Sequence, residues 1–336
     1  MTSLILELIL MLFVILAASE LFTNALEHFG ERLKISEGVT GSLFAAVGTA
    51  LPETTVPLLA LFAGTSDMGV NEEIGVGAIL GAPLMLSTLT TCLMAFAILR
   101  RRGASGRVAP ERSGFERDIN VFLFAFTLAA IAMFVPADAR YVRGAFSFVL
   151  GLTYFVYVMM TLRASNALVE DGHGTEAEDK MFLARIGLPT NLGTILIQLG
   201  LGVALIVFGA KGFIHGVDGV ARSMGISTLL LSLLIIPIAT ELPEKVNSIL
   251  WIRRDKDTLA FGNITGAMVF QGTLLPAIGI MLTPWQPRIE VLGGVLVTLL
   301  AAGWLRLNSK AQGLPVWALL VNGALYATYL ALTLSR

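Results

Sequence analysis

The feature that most limits what this chain can fold into is a series of apolar blocks, each about as long as one membrane-spanning helix. A helix needs about 20 apolar residues to cross the hydrocarbon layer, and a backbone inside that layer must satisfy its own polar groups. We predict ten spans, at residues 4–26, 38–63, 74–99, 119–136, 142–162, 191–214, 226–251, 258–282, 290–306 and 314–334. The sequence therefore predicts an all-α membrane protein of about ten transmembrane helices, embedded in a lipid bilayer.

The composition agrees with this prediction. Hydrophobic residues make up 55% of the chain and charged residues 14%, against about 25% charged residues in a typical soluble domain. The net charge is −1, so the charge balance does not indicate a nucleic-acid partner. The single cysteine, Cys92, lies inside an apolar block and fits a small buried hydrophobic residue. No motif indicates a resident cofactor.

The distribution of basic residues predicts an orientation. If the amino terminus is outside, sixteen Lys and Arg residues lie on the inner side and five on the outer side. Cytoplasmic loops carry the excess of basic residues. We therefore expect both termini outside. We also expect insertion in the plasma (inner) membrane.

The chain divides into two halves that share a sequence pattern. Leu51-Pro52-Glu53 is repeated at Leu242-Pro243-Glu244, 191 residues later. We predict a first five-helix repeat at 1–163, an acidic cytoplasmic connector at 164–190 and a second five-helix repeat at 191–336. Because five is odd, the second repeat enters the membrane upside down. Inverted repeats with broken helices and a site at the midplane are typical of secondary transporters.

A glycine pair follows each copy of this pattern, Gly77 with Gly81 and Gly262 with Gly266. Gly-x-x-x-Gly spacing favours close packing of two helices. We expect this packing to bring the glycine-bearing helix against a broken helix.

The repeated pattern carries the chemistry. An ionised carboxylate inside the membrane is costly, so Glu53 and Glu244 predict an ion or proton pathway. Each proline lacks an N–H and opens its helix, which frees the carbonyl four residues earlier. With Thr49 and Thr240, each repeat offers a carboxylate, a hydroxyl and main-chain carbonyls, the oxygen ligands that hard cations prefer. The alternative for one copy is a proline kink with a glutamate that reaches a helix end.

The segments 48–53 (Gly-Thr-Ala-Leu-Pro-Glu) and 239–244 (Ala-Thr-Glu-Leu-Pro-Glu) resemble the two alpha-repeat signatures of the sodium/calcium exchanger family, within the cation/calcium exchanger superfamily. The resemblance implies that Glu53 and Glu244 are shared calcium ligands. It implies further cation-site positions at Thr49, Thr240, Asn263, Gln271 and the main-chain carbonyls near Ala46 and Pro237.

The chain departs from that family's pattern at several oxygen ligands. Ala50, Ala82, Leu86 and Ala267 stand where the family usually has hydroxyl or amide side chains. Glu241 adds a carboxylate, which could be a third ligand, a proton carrier or a partner for Lys245 one turn later. Three nearby carboxylates should raise at least one pKa by repulsion and desolvation. We therefore hypothesise protons as the counter-ion, with a contribution from Glu241.

The predicted function is secondary antiport of calcium or a similar cation in exchange for sodium or protons, by alternating access of Glu53 and Glu244. One alternative is a proton-coupled exchanger without a sodium site, using the same glutamates. Another is a cation channel or leak pathway with no obligatory counter-ion. An enzyme is the least favoured class, because no nucleophile–base pair or metal cluster recurs in the predicted spans.

Overall fold

A computed structural model describes residues 2–32, 51–63, 67–169 and 180–335 of the chain. The described residues are almost entirely helical. The helices are α1 (Thr2–Arg32), α2 (Leu51–Ala63), α3 (Met68–Arg102), α4 (Arg112–Ala132), α5 (Arg140–Val169), α6 (Phe182–Arg185), α7 (Leu192–Met224), α8 (Thr228–Thr240), α9 (Leu242–Arg253), α10 (Asp257–Leu282), α11 (Ile289–Asn308) and α12 (Val316–Leu334). Two short strands, β1 (Arg107–Val108) and β2 (Leu314–Pro315), pair antiparallel.

Each predicted span overlaps a described helix. Within the described residues, seven helices are long and apolar enough to cross a membrane, as judged by length and composition alone: α1, α3, α5, α7, α10, α11 and α12. The predicted span at 226–251 is divided into α8 and α9, and the first part of the span at 38–63 lies outside the described residues. The prediction of about ten transmembrane helices in two inverted five-helix repeats, with broken helices, is confirmed.

Several helix ends differ from the predicted ones. α4 begins at Arg112 rather than near residue 119, because Glu111 caps it by accepting hydrogen bonds from the main-chain N–H groups of Ser113 (2.8 Å) and Gly114 (2.7 Å). Side-chain caps of this kind stabilise helix starts in sequence that is not yet apolar. α5 continues to Val169, beyond the predicted span end at residue 162.

The structure divides into two compact units that are both discontinuous in sequence. The first unit comprises residues 1–71 and 155–226. In it α1 lies along α7, and small residues of α7 face large side chains of α1. A Cβ atom added at Gly209 would lie 2.8 Å from Ile15, and one at Gly216 would lie 2.8 Å from Leu8. Small residues at seven-residue spacing therefore let these two helices approach closely.

A buried polar network fixes the ends of this helix pair. The Gln198 side-chain amide donates to the carbonyl of Leu21 (2.9 Å) and to Asn24 Oδ1 (3.0 Å). The main-chain N–H groups of Phe182 and Leu183, at the start of α6, donate to Asn24 and Gln198. Buried amide groups need such partners, so the network attaches the short helix α6 to both α1 and α7.

The second unit comprises residues 72–154 and 227–336. Here α4 packs on α10, with Phe122 and Phe126 buried and the indole of Trp285 donating to the carbonyl of Ala129 (3.0 Å). α12 packs on α3, where Asn322 donates to the carbonyl of Ser87 (2.8 Å). This carbonyl lies in a π-helical segment, Leu86–Thr90, within α3.

A four-residue ion-pair cluster ties the end of α3 to the turn between α9 and α10. Arg101 and Arg102 both bind Asp255, at 2.6 and 2.8 Å, and Arg102 also binds Asp257 at 2.7 Å. The hydrogen bonds from Arg101 and Arg102 lower the pKa of Asp255 to about 2. The Asp255 carboxylate therefore stays ionised, and the pairs stay intact, at any pH well above that value.

Arg143 of α5 binds main-chain carbonyls at the end of α10. It is buried (5% exposed) and donates to the carbonyls of Ile280, Thr283 and Pro284 at the end of α10. Because helix-end carbonyls lack partners within their own helix, Arg143→Met should lower the free energy of unfolding by about 2–4 kcal/mol. Thermal unfolding in detergent should show a lower midpoint for this variant. Arg140→Met, at an exposed position, is the control, and equal midpoints for both variants would contradict this role.

Candidate functional site

The second copy of the repeated pattern lies at a break between two helices. α8 ends at Thr240, α9 begins at Leu242, and Glu241 between them has φ −90° and ψ 12°, outside helical geometry. Pro243 stands in the first turn of α9, where its missing N–H leaves no hydrogen bond unmade. The prediction of a broken helix at Leu-Pro-Glu is therefore confirmed for the second repeat.

The break places polar groups inside an apolar helix pair. Glu244 lies in the first turn of α9, where the positive end of the helix dipole favours a negative charge. The main-chain carbonyls at the end of α8 lie at the negative end of the other half-helix. At a break of this kind, the start of α9 favours a negative charge, and the carbonyl oxygens at the end of α8 attract a cation.

Glu241 and Lys245 form a buried ion pair at the break. The ammonium of Lys245 lies 3.5 Å from Glu241 Oε2, and the two side chains are 7% and 0% exposed. Lys245 Nζ also donates to the carbonyls of Pro237 (2.9 Å) and Ile238 (3.4 Å). Of the three roles considered for Glu241 from the sequence, the structure shows the contact with Lys245. The roles of third ligand and proton carrier stay predictions.

One predicted cation ligand, the Pro237 carbonyl, is in contact with the Lys245 ammonium. The Pro237 carbonyl, expected from the resemblance to contribute to a cation site, accepts hydrogen bonds from the Lys245 ammonium and from the Glu241 N–H (3.3 Å). It therefore does bind a cationic group, but that group belongs to the protein. Sequence reasoning noted Lys245 as a neighbour of Glu241 and missed its contact with carbonyls eight residues earlier.

The other predicted site residues of the second repeat are distributed over α8 and α10. Thr240 is buried and its hydroxyl donates to the carbonyl of Ile236 (3.1 Å), one turn earlier in α8. Asn263 of α10 donates to the hydroxyl of Ser248 in α9 (3.1 Å). Gln271, also in α10, is 2% exposed, and its side-chain oxygen makes no hydrogen bond within the described residues.

The first copy of the pattern is described only in part. Glu53 lies in α2 and is 4% exposed; its burial agrees with the prediction of a functional carboxylate within a span. Thr49, Ala46 and Ala50 lie outside the described residues. Among the described side chains, no group of three or more His, Cys, Asp or Glu residues could hold a metal ion.

The first glycine pair packs against the broken helix, as predicted. A Cβ atom at Gly77 would lie 2.6 Å from Ser232 Cβ and 2.9 Å from the Leu229 carbonyl, both in α8. A Cβ atom at Gly81 would lie 2.7 Å from Pro237 and would also meet the main chain of Leu233. The expectation for Gly262 is wrong: it is exposed, and a Cβ atom there would meet nothing within 4 Å.

One buried carboxylate was missed by sequence reasoning. Asp118 of α4 is 4% exposed, accepts a hydrogen bond from the Thr265 hydroxyl of α10 (2.8 Å) and pairs with Arg117 (2.9 Å). Its position just before an apolar block was the available signal. Because its partners lie on two helices, it links α4 to the helix that carries Asn263 and Gln271.

Comparison with known proteins identifies the family of this chain. The family model for sodium/calcium exchanger proteins matches residues 3–163 and 194–335. CaxA of Alkalimonas amylolytica is 25% identical over 81% of this chain and 79% of its own length.

Two kinds of solved structure share the fold. A crystal structure of the H⁺/Ca²⁺ exchanger CAX has a TM-score of 0.70 at 20% identity and covers 99% of this chain and 87% of its own. A structure of the sodium-calcium exchanger NCX_Mj has a TM-score of 0.59 at 20% identity and covers 98% of this chain and 99% of its own. The chain belongs to the sodium/calcium exchanger family of membrane transporters.

Proposed function

We propose that this protein is a secondary antiporter that moves calcium or a similar cation in exchange for sodium or protons. The observation that carries the proposal is the break at Glu241, which puts Glu244 in the first turn of a half-helix inside the membrane. Glu53, its counterpart in the first repeat, is buried. Intramembrane carboxylates of this kind mark ion pathways, and membership of an exchanger family supports the same function.

Glu53 and Glu244 are the proposed ligands of the transported cation. A divalent cation takes six to eight oxygens, of which carboxylates supply the charge. Thr240, Asn263 and Gln271 are the proposed additional ligands in the second repeat, and Thr49 and the Ala46 carbonyl those in the first. Transport then consists of alternating access of these groups to the two sides of the membrane.

Protons are the counter-ion that the chain's own residues favour. Ala82, Leu86 and Ala267 bring no side-chain oxygen for a sodium ion. The pairing of Glu241 with Lys245 at 3.5 Å leaves Glu53 and Glu244 as the carboxylates over which protons and calcium compete. A cation channel would use the same residues but would need no counter-ion.

Flux into liposomes with the two gradients imposed separately tests the counter-ion. With protons as the counter-ion, an acid-inside pH gradient should drive calcium uptake in the absence of sodium. An outward sodium gradient at equal pH on both sides should drive little uptake. Uptake that strictly required the sodium gradient and ignored pH would restore sodium as the counter-ion and would leave the proposal of calcium antiport standing.

The proposed orientation places both termini outside, in the plasma (inner) membrane, and the loop after α3 in the cytoplasm. In a Cys92→Ala background, a cysteine at the exposed Ser105 should resist an impermeant thiol reagent in intact cells. A cysteine at the exposed Asp138, in the turn between α4 and α5, should react. The reverse pattern would overturn the orientation.

A further inference from the structure

The Lys245 ammonium lies in a cradle of oxygen atoms at the break in the second repeat. Its three oxygen neighbours are the Pro237 carbonyl at 2.9 Å, the Ile238 carbonyl at 3.4 Å and Glu241 Oε2 at 3.5 Å. The lysine is 6% exposed and Glu241 is 0% exposed. The lysine charge is therefore buried within the protein.

These neighbours are of the kind that a small monovalent cation binds. Main-chain carbonyls at an unwound helix end, together with a carboxylate, are the groups that bind alkali cations in broken-helix transporters. The Pro237 carbonyl also accepts the Glu241 N–H at 3.3 Å, but a carbonyl oxygen has two lone pairs and can contact a cation as well. Glu241, between the two half-helices, departs from helical geometry. The negative end of the α8 dipole adds to the attraction for a positive charge.

An ammonium group can replace such an ion. It is a compact point charge with three donors on a flexible stem, and at 2.9 Å it makes an ordinary hydrogen bond to the Pro237 carbonyl. Because Lys245 follows Glu241 by one helical turn, the stem returns along α9 to the break. The cradle is thus filled by a cation that cannot leave the protein.

We propose that Lys245 is a tethered monovalent cation that occupies the place a sodium ion would otherwise take at the end of α8. The proposal rests on the proposed function as a cation antiporter, and it names the residue that decides whether a monovalent ion can bind there. The parent protein then has no need of sodium at this cradle. Removal of the ammonium opens the cradle to an external ion.

The competing explanation is that Lys245 only neutralises a buried glutamate. Loss of one partner of a buried ion pair is destabilising whatever the cause, so a loss of stability alone does not separate the two explanations. They differ in the response to sodium. If the cradle has ion-binding geometry, sodium should stabilise the protein once the lysine has been removed. If Lys245 only neutralises Glu241, the stability of the variant should not depend on which monovalent salt is present.

The test is thermal unfolding of purified protein at one pH, in sodium chloride and in choline chloride of equal ionic strength. Saturating sodium should raise the midpoint of Lys245→Met by about 5 °C relative to choline. The parent, and Lys211→Met at an exposed lysine of α7, should shift by less than about 1 °C in the same comparison. The double variant Glu241→Gln/Lys245→Met lacks the carboxylate as well, so it should show no sodium shift.

Two results would overturn the proposal. One is a Lys245→Met variant whose midpoints in sodium and choline are equal, including the case in which it stays unfolded in both salts. The other is a parent protein that sodium stabilises as much as it stabilises the variant. Because the midpoint requires no transport, failure of this inference is distinct from failure of the proposed function, which would appear as a parent protein without calcium flux in liposomes.

Discussion

Glu53→Gln and Glu244→Gln should each abolish calcium flux in liposomes while the protein still folds and inserts. Glutamine keeps the shape of the side chain and removes its charge, so the divalent cation loses a principal ligand. A loss of about 3 kcal/mol of binding corresponds to about a hundredfold loss of affinity. Both variants should be no less stable than the parent, because a neutral side chain costs less to bury than a carboxylate.

The matched control for these variants is Glu20→Gln, at an exposed position of α1, which should keep the parent rate. Retention of near-normal calcium flux by either Glu53→Gln or Glu244→Gln would remove that residue from the ligand set. Thermal midpoints measured beside the fluxes separate loss of a ligand from loss of folding.

The second large effect is expected at the glycine that contacts the broken helix. Gly77→Ala should destabilise the protein by about 3 kcal/mol, because the added Cβ atom meets rigid main chain in α8 and cannot be accommodated by a side-chain movement. Gly262→Ala, at the equivalent position of the second repeat, should be neutral or stabilising by up to about 1 kcal/mol, since alanine favours a helix over glycine.

Thermal unfolding in detergent compares the two glycine variants directly. The midpoint of Gly77→Ala should lie well below that of Gly262→Ala. Equal midpoints would show that the close contact between α3 and α8 does not hold the structure together.

The sequence was sufficient to predict the features that depend on local chain chemistry. Apolar length predicted the spans, and Pro243 predicted the break between α8 and α9. Charge inside a span predicted the burial of Glu53. Each of these features depends on the residues of a single segment and not on the helices that pack against it.

Features that depend on which face a helix presents could not be predicted. The two glycine pairs have the same spacing, yet Gly77 and Gly81 are in close contact with α8, whereas Gly262 is exposed. Internal repetition shows which positions are equivalent, but it does not show which neighbours each position contacts. Asp118 was missed for the same reason, since its partner Thr265 lies 147 residues later in the chain.

The Lys245 contact shows a second limit. From the sequence, a lysine four residues after Glu241 predicts an ordinary pair one turn apart. Its bond to the Pro237 carbonyl, eight residues earlier, exists only because the helix is broken between them. The geometry of the break, which no residue pattern specifies, therefore converts a common pair into a filled cation cradle.

As an antiporter, this protein should exchange one cation for another across the membrane. The most direct measurement is efflux of radioactive calcium from loaded liposomes, with and without counter-ion on the opposite side. Protons or sodium on the opposite side should accelerate efflux from liposomes containing the parent, and Glu244→Gln should show no efflux under either condition. Efflux from the parent at the same rate with no counter-ion present would contradict antiport and would identify the protein as a channel or leak pathway.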